Sequence, residues 1–145
     1  MSIFDFQLIS RDDKLYADIV RRFERWNRQE TDWNWETYTI ALIDRRRLLA
    51  AGRGIVNMGL VEIRGVWVEP EWRGRGVGRQ LMAEIEAEAM RRGCTRAALD
   101  SYSWQAPGFY ERLGWQCFGV LEYPNGTSRH WFVKELRTGP RPDCT

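Results

Sequence analysis

Arg73-Gly74-Arg75-Gly76-Val77-Gly78 follows an apolar run, Val66-Trp67-Val68, and a turn, Glu69-Pro70-Glu71-Trp72. An amphipathic stretch from Arg79 to Arg92 comes next. A strand that runs into a glycine-rich turn and then a helix makes a cradle for phosphate. Successive backbone N–H groups point into the turn, and the helix N-terminus adds partial positive charge. Glycine lets the backbone approach an anion closely and adopt dihedrals that other residues avoid. The segment therefore predicts a phosphate-bearing ligand.

Two familiar glycine loops compete for it. A P-loop requires Lys-Ser or Lys-Thr after its last glycine, for phosphate and magnesium, and here Arg79-Gln80 follows Gly78. A dinucleotide-binding loop requires G-x-G-x-x-G with an acid about twenty residues on. Gly74-x-Gly76 begins that pattern, but Arg79 occupies the third glycine position. Asp100, after Ala97-Ala98-Leu99, stands where a ribose-binding acid would, so this alternative is weakened and stays open.

A third match fits better. Arg73…Gly76-Val77-Gly78 resembles the coenzyme A pyrophosphate loop of the GCN5-related N-acetyltransferases, Gln/Arg-x-x-Gly-x-Gly/Ala. About thirty residues on, Gly108-Phe109-Tyr110-Glu111-Arg112-Leu113-Gly114-Trp115 resembles the same family's Phe-Tyr-x-x-x-Gly-Phe signature. The resemblance covers Leu60 to Leu136, and the first half of the chain matches only loosely. It implies a mixed α/β fold: a central, mostly antiparallel sheet with a splayed parallel strand pair and flanking helices.

Composition is consistent with an enzyme domain. One domain is expected over residues 1–137, with a loose tail over 138–145; 145 residues bury about two thirds of the unfolded surface. No apolar run approaches the ~20 residues that span a membrane, and Met1-Ser2-Ile3-Phe4-Asp5 does not read as a signal peptide. Cys94, Cys117 and Cys144 are an odd number without disulfide spacing, which points to a reducing cytoplasm. With the lone His130 they have no zinc-ligand spacing, so no metal is expected. A net charge of +2 argues against a general nucleic-acid binder.

Period and punctuation give an α+β order. Ile3 to Ile9 reads as a first strand, and Asp12 to Arg28 as a helix with Leu15, Ile19, Val20, Phe23 and Trp26 at helical spacing. Trp35–Ile43 is a strand, and Leu48–Val56 with Leu60–Val68 forms a hairpin around Asn57-Met58-Gly59. The helix after the glycine loop puts Leu81, Met82, Ile85 and Ala89 on one face and stops at Gly93. Ala97–Leu99 is a buried strand, Pro107 opens a short helix, and Trp115–Leu121 and Ser128–Leu136 pair across Pro124-Asn125-Gly126.

The resemblance also implies a mechanism: an amine attacks the thioester of acetyl-CoA directly. Positioning supplies much of the acceleration. The pantetheine arm would lie like an extra strand along Val66, Trp67 and Val68, with one N–H polarising the carbonyl. The strand bearing Asp100 would part from its neighbour, with Gly65 as the site of the bulge that splaying needs. Tyr110 matches the family's general acid, a phenol of pKa about 10 beside the departing thiolate; the alternative is a core ring with a wet tip. Glu62, eleven residues before Arg73, matches the glutamate base of histone-type members. Its alternative is a surface carboxylate paired with Arg53 or Arg64. Glu62, Arg64, Val66 and Val68 share parity and, without a bulge, one face. Gly74, Gly76, Val77 and Gly78 would present backbone to the phosphates, and Arg73, Arg75 and Arg79 their guanidinium groups. Phe109 and Gln105 would flank the arm, although Gln105 could equally cap the short helix.

The acceptor is the least legible part. The corresponding segments contribute Trp26, Glu30, Trp33 and Tyr123, with Trp104 near the cofactor end. Aromatic walls with carboxylates suit a cationic amine, either a small molecule or an exposed protein amine. Trp35, Trp115 and Trp131 sit on expected strands and read as core or dimer contacts. Single-domain family members often pair, so a homodimer is compatible with the chain. The alternative reading is an acyl-CoA-binding sensor or partner-binding domain that keeps the fold without turnover.

Overall fold

The computed structural model describes residues 5–136, and the chain divides into two compact units between Asn34 and Trp35. The first unit carries helix α1, Lys14–Glu30. Asp13 caps it by accepting a hydrogen bond from the Leu15 N–H (2.8 Å), and the helix ends at Thr31, whose backbone is extended. Arg22 pairs with Asp18 along its surface (2.7 Å). Residues 5–10 form no strand, so the described part of the expected Ile3–Ile9 element is irregular; Phe6 and Leu8 are fully exposed and bring no cross-strand partner. The expected tail over 138–145 lies outside the described residues.

The second unit contains β1 (Glu36–Asp44), β2 (Arg47–Asn57), β3 (Leu60–Val68), a 3₁₀ turn (Pro70–Trp72), α2 (Val77–Arg91), β4 (Arg96–Tyr102), α3 (Pro107–Arg112), β5 (Gln116–Glu122) and β6 (Ser128–Glu135). The six strands form one sheet in the order β1-β2-β3-β4-β6-β5. Only β3 and β4 run parallel, joined by the α2 crossover. A doubly wound dinucleotide fold needs a mostly parallel sheet, so this topology removes the alternative that Asp100 had kept open. No helix among the described residues is long and apolar enough to cross a membrane.

Helix α2 buries Leu81, Met82, Ile85 and Ala89 against β1, β2 and β3, the face its period predicts. The contact is close because β2 presents glycine beneath it. A Cβ on Gly52 would stand 2.5 Å from Ile85 Cδ1. One on Gly54 would stand 2.3–2.7 Å from Cζ, Cε1 and the hydroxyl oxygen of Tyr38, whose ring lies across β2. From there the Tyr38 hydroxyl donates to the Ile85 carbonyl (2.6 Å), and Arg92 sits 4.9 Å over the ring while pairing with Glu36 (3.2 Å) and Glu88 (2.9 Å). Val61, Ile63, Ala97, Leu99, Trp115 and Phe132 complete the core. Lys134 on β6 donates to Glu86 of α2 (3.0 Å) and to the Leu113 carbonyl at the end of α3 (3.1 Å), locking both helices to one face of the sheet.

The β3–β4 pairing is short: it runs from Leu60↔Arg96 to Ile63↔Leu99 and stops, while both strands continue. On the other side of β3, Ala51↔Trp67 and Arg53↔Arg64 are the consecutive pairs, so Gly65 and Val66 oppose Gly52 alone. This is a β-bulge, and Gly65 takes φ +65°, which a glycine tolerates without a Cβ penalty. The bulge falls at Gly65, the position expected for it, and removes the parity that would hold without one. Val66 and Val68 pack on the same core as Val61 and Ile63, and Trp67 joins Glu62 and Arg64 on the opposite face.

Two stability outcomes follow from this packing. Gly54→Ala forces the Tyr38 ring off β2 and should lower unfolding free energy by about 1–3 kcal/mol in urea melts, the usual cost of overpacking. Burial raises the Tyr38 phenol to about 12, with the neighbouring Cys94 and Glu88 adding to the shift. Its folded value exceeds the unfolded one of about 10, so above pH 10 the unfolded chain releases a proton that the folded chain retains. Stability should therefore fall as pH rises from about 10 to 12, and the Tyr38→Phe variant should show a shallower decline than the parent over that window.

Candidate active site

The site is built where the bulge and the end of the β3–β4 ladder leave two strands diverging. Gly65–Val68 on one side and Asp100–Tyr102 on the other have no mutual pairing, which leaves a gap between the strands for an extended ligand, although Tyr102 spends its N–H and carbonyl on Gln105 and the Val68 carbonyl accepts from Arg73. Ser101 projects from this segment on the core side. It is 2% exposed, and its Oγ has no hydrogen-bond partner among the described residues. An unmet buried hydroxyl costs roughly 1–3 kcal/mol, a cost relieved when a polar ligand enters.

At the outer end of the cleft the chain turns through Pro70–Trp72 into α2. Gly74 and Gly76 have φ +72° and +80°, so both take the left-handed backbone that curls the loop over the helix start. Gly76 is the N-cap and contributes no side-chain bond. The N–H groups of Val77, Gly78 and Arg79 precede the first i→i−4 hydrogen bond, Gln80 N to Gly76 O (3.1 Å), and remain available. Gly78 serves packing instead: a Cβ there would stand 3.1 Å from Phe109 Cζ. Arg73 Nε donates to the Val68 carbonyl (2.8 Å), and its guanidinium sits 4.7 Å over Trp67, which braces the loop on the strand end. Arg75 stacks on Trp72 (5.2 Å), and Arg79 is exposed on the first turn of α2.

Helix α3 begins at Pro107 and lays Phe109 against Gly78. Tyr110, the next residue, rests among Phe109, Trp115 and Phe132, with ring centroids 5.2–6.4 Å apart. Burial pushes its phenol above the ordinary tyrosine range, and the Asp100 carboxylate adds to the effect. Tyr110 is thus a partly buried ring packed against the core.

Glu62 lies on the other face, one residue before the ladder ends, and accepts from Arg64 (2.7 Å). Gln105 does not cap α3. Its Oε1 accepts from the Tyr102 N–H (2.9 Å) and its own N–H donates to the Tyr102 carbonyl (2.9 Å), so it closes the end of β4. Trp104 stacks on Tyr102 (4.6 Å, 17°), and Tyr123 lies 5.9 Å from Tyr102. Trp26 and Glu30 sit on α1 and Trp33 follows it, all in the first unit. Trp115 is core as expected, whereas Trp131 supports Arg129 (4.1 Å) and Trp35 is half exposed.

Ser101, Tyr102 and Arg129, which border the same gap, were not singled out from the sequence, and Asp100 was matched only to a ribose. Arg129 Nε donates to Asp100 Oδ2 (2.8 Å), which accounts for the acid once matched to a ribose. The available signal was spacing: Asp100-x-Tyr102 and Arg129-x-Trp131 each put two side chains on one face of a strand.

Comparison with known proteins bears on this geometry. A model of the acetyltransferase (GNAT) family matches residues 6–115, so the likeness reaches into the first half of the chain, beyond the motif-bearing region. Blasticidin-S acetyltransferase of Streptomyces morookaense is 36% identical over 104 residues, covering 70% of this chain and 76% of that protein. The crystal structure of an acetyltransferase from Bacillus cereus ATCC 14579 superposes with a TM-score of 0.79 at 28% identity, over 90% of this chain and 98% of that one. An aminoglycoside 6'-N-acetyltransferase complexed with coenzyme A shares the fold, with a TM-score of 0.66 at 21% identity over 93% and 97% of the two chains. With a bulged, splayed strand pair, a glycine loop at a helix start and a family match over most of its length, the chain belongs to the acetyltransferase (GNAT) family.

Proposed function

We propose that this protein transfers the acetyl group of acetyl-CoA to a primary amine, on a small molecule or an exposed protein side chain. The observation that carries the reading is the gap between β3 and β4 past Ile63↔Leu99, from which β3 runs through the glycine loop into the uncapped N-terminus of α2. Both features fit coenzyme A. The N–H groups of Val77, Gly78 and Arg79 would receive the pyrophosphate, with Arg73 and Arg75 supplying charge. The strand ends around Val66–Val68 would pair with the pantetheine amides, and Ser101 would donate to or accept from that arm. Phe109 and Gln105 act indirectly, by holding α3 and the end of β4 in place.

In the reaction the amine nitrogen attacks the thioester carbonyl carbon, and the carbon–sulfur bond breaks. The leaving thiolate takes its proton from the Tyr110 hydroxyl, which solvent then reprotonates. The ammonium proton passes to Glu62, through water across the splay. Relatives named for blasticidin-S and aminoglycoside acetylation support a small-molecule acceptor.

Acetyl-CoA or CoA at about 100 times its dissociation constant should stabilise the fold by about 2.7 kcal/mol, a rise of several degrees in thermal melts, whereas NAD and ATP should not. A response to NAD or ATP alone would overturn the reading. Tyr110→Phe should lower kcat about 10²–10⁴-fold in a thiol-release assay while leaving that stabilisation intact. Tyr110 acts protonated and its pKa is raised, so the rate should persist past pH 10 and fall only as pH climbs through the raised value. Stabilisation by acetyl-CoA without thiol release from any amine would favour the sensor reading instead.

A further inference from the structure

The face of the sheet opposite α2 and α3 carries a cluster that the reaction above does not use. Alternation places Asp100 and Tyr102 on this face, because Leu99 and Ser101 are buried on the other. Arg129 and Trp131 join them across the β4–β6 ladder, where Asp100 opposes Trp131 and Tyr102 opposes Arg129. Arg129 is sandwiched: its guanidinium sits 4.1 Å over Trp131 and 5.4 Å over Tyr102, and it donates to Asp100 at 2.8 Å. Trp104 continues the stack from Tyr102 at 4.6 Å and 17°, yet remains 63% exposed. Its loop is pinned rather than loose, since the Ser103 N–H donates to the Ser128 carbonyl (2.8 Å) and the Ser128 N–H donates to Ser103 Oγ (3.1 Å).

Charge decides what such a wall attracts. Each of the two carboxylates placed at the cleft on this face already holds a guanidinium: Asp100 has Arg129 and Glu62 has Arg64. The cluster of Asp100, Tyr102, Trp104, Arg129 and Trp131 is therefore electrically neutral as a whole, with its π surface open and its own carboxylate paired. A polycation gains little from paired carboxylates, whereas a flat ring gains an offset stack on a rigidly held indole. Asp100 and Tyr102 lie on β4 past the last β3–β4 pair, so the wall borders the gap between these strands.

We propose that Tyr102, Trp104 and Arg129 form a specificity wall that selects a monocationic amine bearing an aromatic ring, and that discriminates against polycationic amines. The inference rests on the acetyltransferase reading for its chemistry, but the stacking subsite can be tested apart from turnover.

The experiment compares 2-phenylethylamine, 2-cyclohexylethylamine and kanamycin. The first two differ only in ring saturation, and the third supplies several ammonium groups. With acetyl-CoA saturating, kcat/KM for the phenyl amine should exceed that for the cyclohexyl amine and for kanamycin by about 3- to 10-fold, the value of one aromatic pair. Trp104→Ala should erase this preference while leaving the KM for acetyl-CoA unmoved. Equal or better use of the saturated amine or of kanamycin, or a preference that survives Trp104→Ala, would overturn the proposal. Calorimetric titration of the same amines into CoA-saturated protein reads the subsite without chemistry. The phenyl preference should persist there even when no thiol is released, and its absence overturns the wall. Failure of acetyl-CoA to stabilise the protein counts against the acetyltransferase reading alone; titration without CoA then decides the wall on the same criterion.

Discussion

The early end of the parallel ladder between β3 and β4 is the constraint on which the site depends. Parallel strands normally pair along their shared length, and each unmade backbone hydrogen bond leaves a donor or acceptor to be satisfied elsewhere. Here pairing stops at Ile63↔Leu99 although both strands run on. The cause lies on the far side of β3, where Gly65 and Val66 share a single partner, Gly52. The extra residue turns β3 away from β4 and reverses which side chains face the core. One glycine with a positive φ thus opens the cleft, buries Val66 and Val68 under α2, and turns Trp67 outward to brace Arg73.

The same crowding that excludes side chains from β2 anchors the helix that borders the cleft. Gly52 and Gly54 let α2 and the Tyr38 ring sink onto the sheet, and the Tyr38–Ile85 bond fixes the helix along its axis. A helix held this closely presents its N-terminal amides at a set position, which a phosphate site requires. Gly78 extends the arrangement to α3, because its missing Cβ admits Phe109 and so sets where Tyr110 stands. The glycine loop therefore combines two demands: Gly74 and Gly76 answer to backbone conformation and Gly78 to packing.

Arginine shapes the electrostatics of the cleft. Arg64 and Arg129 each occupy a carboxylate at the site, and Arg129 is further held between two rings. At the more exposed Arg64–Glu62 pair such a contact adds little stability. Its effect lies in what remains: aromatic surface whose charge is already balanced.

Much of this was legible from residue order. The buried face of α2, the buried strand β4, the short helix opened by Pro107, the hairpins and the glycine loop ahead of α2 all follow from local period, turn chemistry and motif spacing, which act over a few residues. The family match rests on the same local signals. The family resemblance pointed to a bulge at Gly65, but the period along β3 does not report it, because a bulge depends on which residue of β2 stands opposite. The Asp100–Arg129 pair was not legible, because it joins residues 29 positions apart through the β4–β6 register. Gln105 and Ser101 differ in the same way: one is spent on the end of β4 and the other left unmet, and each outcome depends on neighbours brought by folding. Sequence carried the kind of chemistry because phosphate cradles and helix faces are local. Strand register and packing chose which acids, rings and hydroxyls meet, because those contacts are long-range.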